Sequence, residues 1–334
     1  MMRLGTGQKR ALAYNTGLLM LAVIIAVGFR VSAFFYSEQT FSVAPPVLSL
    51  LNLEIPLFSI GYSIGVNVLL AFCFVLLFQQ KSIKFRLLRT RSLLPLFFAL
   101  ILSNLNPNIA DASLNYILSL GLMFVYFRLF QCYECDAENL PLKVFDLSAW
   151  MGVLCLLDIR LVCLMPVFWY MLFAYRAFSA RVLMASIFGL GAAFGLLLIY
   201  LIATGQEISS MFPIFREMTE IDRLLYFPRT IARMVYLGTI FVTCFISYLN
   251  LRNNTDKVRV RVIMGSLRVA LICTNMLSVM LFPSSELLLA ATIVPMVLLL
   301  GYLFSSVTGL WHKTLFILFV SAVVLTFVFR LWSY

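Results

Sequence analysis

The stretch Val182–Ala203, VLMASIFGLGAAFGLLLIYLIA, contains no charged residue. It is longer than the ~20 residues that a helix rising ~1.5 Å per residue needs to cross a ~30 Å hydrocarbon core. In lipid, a helix satisfies every backbone N–H and C=O of such a run internally. Similar runs recur along the chain, and spans are expected at 15–36, 57–79, 92–105, 112–130, 145–157, 160–175, 182–203, 231–250, 266–282, 286–304 and 314–332. The expected fold class is all-α: a polytopic transmembrane helical bundle of about eleven spans, one domain over residues 1–334.

Composition agrees. Of the 334 residues, 63% are hydrophobic and 12% charged, with a mean hydropathy of +1.01. Soluble domains carry roughly 25% charged residues, so this chain has too few to coat a surface in water. The net charge of +11 does not point to nucleic acid, because the basic residues sit in short clusters between apolar runs rather than on one basic domain.

Those clusters set the expected topology. With the N-terminus cytoplasmic and the C-terminus periplasmic, the inner loops receive most of the Lys and Arg, including the groups at Lys81–Arg91 and Arg252–Arg268. Both groups also suit anionic lipid headgroups. Arg30, Arg160, Arg216, Arg223, Arg229, Arg233 and Arg330 fall outside, together with acids such as Glu38, Glu54, Asp111 and Asp158. The N-terminal run continues too long for a signal sequence and no small-x-small site follows, so it is expected to stay as the first span.

Two short hairpins are where chemistry is expected. One ends in Asn104-Leu-Asn-Pro-Asn108 with Asp111 following, and the other turns through Asp158-Ile-Arg160. Helices this short would leave their tips below the outer surface, where polar backbone needs protein or water around it. An outward-facing polar cavity floored by Asn104, Asn106, Asn108, Asp111, Asp158 and Arg160 follows. Helix N-termini pointing into it, with Arg160 and Arg30, would hold an anionic lipid phosphate. The alternative is that Asp158 and Arg160 are structural glue. A periplasmic loop at about 204–229 carries apolar residues at helical spacing, Ile214, Phe215, Met218, Ile221, Leu224 and Leu225, and reads as an interfacial helix.

Other motifs are quiet. The small-xxx-small spacing of Gly189, Gly191 and Gly195 reads as close helix packing. Cys132 and Cys135 form a CxxC, yet no second pair stands at zinc spacing and His312 is the one histidine. The pair reads as two loop thiols, with no metal and no cofactor expected. Nothing resembles a nucleotide-binding loop.

The segment Lys143-Val-Phe-Asp-Leu-Ser-Ala-Trp-Met-Gly152, leading to Asp158 and then to Tyr175-Arg176, resembles an uncharacterised polytopic inner-membrane family of Bacteroidota. In that family a KxFDxxxxxG pattern opens a helical hairpin and a basic turn follows. The likeness covers residues 80–203 and implies a bacterial inner membrane, without a reaction. A looser similarity is to integral-membrane glycosyltransferases that use polyprenyl-phosphate-linked sugars. It implies an acid in the first outer loop, for which Glu38 and Glu54 are the candidates as general base, and arginines for the lipid phosphate. Three functional readings stand: an envelope glycan or lipid assembly enzyme, a non-catalytic subunit bound to another membrane protein, and a transporter or lipid flippase.

Overall fold

The computed structural model describes residues 16–36, 69–80, 93–105, 109–133, 135–206, 231–253, 258–280, 287–306 and 310–333. All regular structure among them is helical: α1 Thr16–Tyr36, α2 Leu69–Gln80, α3 Leu94–Ser103, α4 Ile109–Gln131, α5 Leu140–Leu157, a 3-10 helix Ile159–Leu164, α6 Met165–Ala174, α7 Ala180–Thr204, α8 Ile231–Asn253, α9 Val258–Met280, α10 Leu287–Ser306 and α11 Leu310–Ser333.

Local chemistry marks several of the ends. Pro95, Pro141 and Pro166 stand in the first turns of α3, α5 and α6, where a missing N–H costs nothing. The Ser179 hydroxyl accepts from Val182 N–H to cap α7, and Gly205 closes that helix at φ +68°. There Gly205 N–H bonds Ile202 O and Gln206 N–H bonds Leu201 O, the paired closure that a left-handed residue permits. The end of α6 repeats the pattern with an arginine in the left-handed position, Arg176 at φ 58°.

The span count is corrected. Among the described residues three helices are long and apolar enough to cross a membrane: Leu140–Leu157, Ala180–Thr204 and Val258–Leu277. The remaining apolar helices contribute described stretches of 10–17 residues, such as Gly17–Ala33 within α1 and Ala290–Phe304 within α10. The expectation of about eleven spans equated each apolar run with a crossing, whereas burial by protein selects the same residues as burial by lipid. The α3 helix makes the point. It has 10 residues, about 15 Å of rise, and is buried on nearly every side. The run expected at 145–157 instead starts at Leu140 and qualifies as a crossing helix. The one expected at 160–175 is a 3-10 helix followed by the short α6. The cytoplasmic and periplasmic sides assigned to each loop, and to the two termini, depended on counting eleven crossings and fall with that count.

The core forms around α10. Every residue from Ala290 to Phe304 is buried, as a helix apolar all round requires, and α3, α4, α8 and α9 pack against it. Gly301 lets α3 approach: a Cβ there would stand 2.7 Å from Pro95 Cγ. Phe98, Phe304, Phe316 and Phe319 meet edge-on or tilted and join α3, α10 and α11. A second seam joins α5 to α7, which run parallel. A Cβ on Gly152 would lie 2.7 Å from Leu190 O, and one on Gly189 would lie 2.5 Å from Phe145 O. Gly191 and Gly195, of the same sequence motif, face open space.

The periphery is apolar as well. Met20, Ile24 and Phe35 of α1, Phe188, Leu196 and Ile202 of α7, and Phe241 and Phe245 of α8 all project outward. Apolar surface of this extent over several helices is not stable in water. Apolar inside and out, with three crossing-length helices, the chain is a helical membrane protein.

Candidate functional site

Arg30, near the end of α1, donates from Nε to Asn104 Oδ1 at 2.7 Å. Asn104 is buried just past the end of α3, and its Nδ2 donates to Leu100 O at 2.7 Å. That bond fixes the amide so that its oxygen faces the arginine. Next to it, the Ser103 hydroxyl donates to Ala99 O at 2.6 Å and lies 3.1 Å from the Tyr116 hydroxyl of α4. Tyr116 is buried and also interacts with Arg30. Three helices thus each supply polar side chains to one cluster, and residues 74 positions apart touch.

Asp158 has a different task. It is buried between α5 and the 3-10 helix, and its Oδ1 accepts the Arg160 backbone N–H at 3.0 Å. The carboxylate therefore occupies a donor that the expected anion would have used. This is the structural-glue alternative in one specific form, an acid capping a turn.

The two groups share one end of the bundle. A Cβ on Gly121 of α4 would strike the Leu154 side chain of α5, which sets those levels opposite each other. The helices are consecutive and antiparallel. Moving from Gly121 back to Tyr116 and from Leu154 on to Asp158 leads the same way. Asp111 stands in the first turn of α4 at that end, but its side chain lies outside the described residues. Glu38, Glu54, Asn106, Asn108 and the interfacial helix at 214–225 lie outside them too.

Neutral polar groups were missed in the sequence. Asn115 and Ser119 are buried one turn apart on α4. Asn115 Oδ1 and Ser119 Oγ have no hydrogen-bond partner among the described residues. Further along, the buried Tyr126 hydroxyl lies near Thr274 of α9, and the Tyr175 hydroxyl lies 3.0 Å from Ser266 Oγ. A polar seam thus follows α4 through the apolar interior. Its signal was legible as the spacing Asn115, Ser119, Tyr126, which falls on one face of a helix, but uncharged polar side chains in an apolar run stand out less than ionisable ones.

Among the described residues no group of three or more His, Cys, Asp or Glu is placed to hold a metal ion. No family model, no curated protein and no solved structure matches the chain.

Proposed function

We propose that this is a bacterial inner-membrane protein of envelope glycan or lipid assembly that binds the phosphate of a lipid carrier, of the polyprenyl-phosphate-sugar type, where α1, α3 and α4 meet. The observation that carries the reading is Arg30, a guanidinium set into an apolar bundle and oriented by Asn104 and Tyr116. Ionisable groups at such depth are costly and mark function by default. A guanidinium has five N–H donors. Asn104 takes the one on Nε, and on binding the others exchange their present partners for phosphate oxygens. Arg160, carried on the turn that Asp158 caps, is the second cation at this end. In the enzyme reading, Glu38 or Glu54 serves as general base on an acceptor hydroxyl, and the arginines stabilise the leaving phosphate.

Native mass spectrometry in mild detergent tests this. A stoichiometric phosphate-bearing lipid is expected on the wild type, lost in Arg30→Gln and weakened in Arg160→Ala. An adduct unchanged in Arg30→Gln overturns the site. The α4 seam favours a second reading, a lipid flippase, because buried polar groups following a helix offer a headgroup successive partners. If lipid translocation in proteoliposomes falls in Asn115→Leu and Ser119→Val while the adduct persists, the flippase reading takes precedence over the enzyme.

A further inference from the structure

The turn between α4 and α5, at the end of the bundle away from Arg30, holds the pair Cys132 and Cys135. Both thiols are free. On spacing alone they are equivalent, but their surroundings differ. Cys132 is buried under the last turn of α4, with Sγ donating to Arg128 O at 3.6 Å. Cys135 is half-buried, and its Sγ accepts a hydrogen bond from Lys143 Nζ at 3.1 Å.

The backbone holds this arrangement. Cys132 N–H bonds Leu129 O, Asn139 and Leu140 N–H both bond Asp136 O, and Lys143 N–H bonds Asn139 O. The chain thereby enters α5 with Lys143, one turn in, carried back over Cys135. Tyr133, between the two cysteines, meets Tyr175, just past the end of α6, edge-on at 5.7 Å. The Arg259 guanidinium of α9 lies 5.8 Å from its ring centre. Two further helices pin the turn.

We propose that Cys132 and Cys135 are a redox-active dithiol, with Cys135 the attacking sulfur, Lys143 its activating cation and Cys132 the resolving thiol. The substrate class is a small-molecule disulfide of the glutathione type. An ammonium in contact with a sulfur favours its thiolate, the species that attacks. In the first step Cys135 thiolate attacks one substrate sulfur, and the substrate S–S bond breaks. One thiolate leaves and takes a proton from water, and a mixed disulfide remains on Cys135. In the second, Cys132 gives its proton to water and attacks Cys135 Sγ, and the second substrate thiolate leaves and is protonated. The protein dithiol loses two electrons and becomes a disulfide, while the substrate gains them and becomes two thiols. Burial pushes the Cys132 thiol up to about 12, against the opposing pull of Lys143 and Arg128. Cys132 therefore waits as a protonated thiol until its neighbour has reacted.

Wild-type protein in mild detergent is equilibrated in glutathione buffers, quenched with acid, alkylated and mapped by mass spectrometry. A Cys132–Cys135 disulfide is expected, lighter by two hydrogens. In Cys132→Ser, glutathione accumulates on Cys135, and in Cys135→Ser, Cys132 stays unmodified. Lys143→Gln slows mixed-disulfide formation about tenfold near neutral pH, and Lys143→Arg restores it. Elution as the wild type in size exclusion confirms that each variant is folded. The proposal is overturned if Cys132 reacts as fast without Cys135, if half-buried Cys73 or Cys163 matches the rate of Cys135, or if Lys143→Gln leaves the rate unchanged.

Discussion

Asn104 gives Arg30 an oriented acceptor within a small polar cluster set into a largely apolar bundle. Hydrogen bonds to charged groups contribute about 1.5–3 kcal/mol, and the lower end applies because Arg30 is only half-buried. Asn104→Leu is therefore expected to lower thermal stability in detergent by about 1.5 kcal/mol. Part of that loss should return in the double variant with Arg30→Met, which removes the donor too. A strictly additive double variant would mean that the two side chains do not depend on each other. Arg176 makes the opposite case. It is exposed and sits at φ 58°, where a Cβ costs roughly 1 kcal/mol. Arg176→Gly should stabilise the protein by about that amount, seen as a higher unfolding temperature. Both Arg30 and Asn104 stood out in the sequence, one as a cation near the outer end of the first apolar run and the other as the polar end of a short helix. That they touch was not legible, because nothing in a linear pattern orders contacts between helices so far apart in the chain.

At the scale of elements, the α5–α7 seam separates glycines that look alike in sequence. Gly189 faces a backbone carbonyl of α5, which has no rotamer to escape into, so Gly189→Ala is expected to cost about 1–3 kcal/mol. Gly191 and Gly195 meet nothing within 4 Å. Alanine at either should be neutral, or stabilising by up to about 1 kcal/mol through helix propensity. Thermal unfolding of the three single variants checks the contrast, and equal losses at all three positions would contradict the seam. The spacing announced close packing correctly. It could not say which glycine lies in the contact, because the helix turns about 100° per residue and the neighbour touches one face. Trp169 Nε1, donating to Ser186 Oγ at 2.9 Å, holds α6 to the same face of α7. That bond joins two helices whose facing sides no periodicity assigns.

For the whole molecule, the outward faces decide the solvent. Leu196 of α7 is 68% exposed. On a protein dissolved in water, Leu196→Arg would be harmless. On a helix facing hydrocarbon it should weaken membrane integration by about 2.5–3.5 kcal/mol, the insertion cost of a central arginine. Fractionation of the expressed variant, with the fraction resisting alkaline extraction as readout, measures this. Retention equal to wild type would place that face of α7 away from lipid.

Composition and charge-free runs were enough, without coordinates, to determine that the chain is helical and belongs to a membrane, since backbone polar groups in an apolar solvent leave few alternatives to the helix. They also marked Arg30, Asn104 and Asp158 as polar exceptions worth locating, and passed over the CxxC as two loop thiols. Tertiary structure alone decided how many apolar helices have the length to cross, which ones α10 gathers into the core, and which polar exceptions meet. The physical reason is common to all three. Hydropathy records that a residue avoids water, but only packing determines whether lipid or another helix takes water's place.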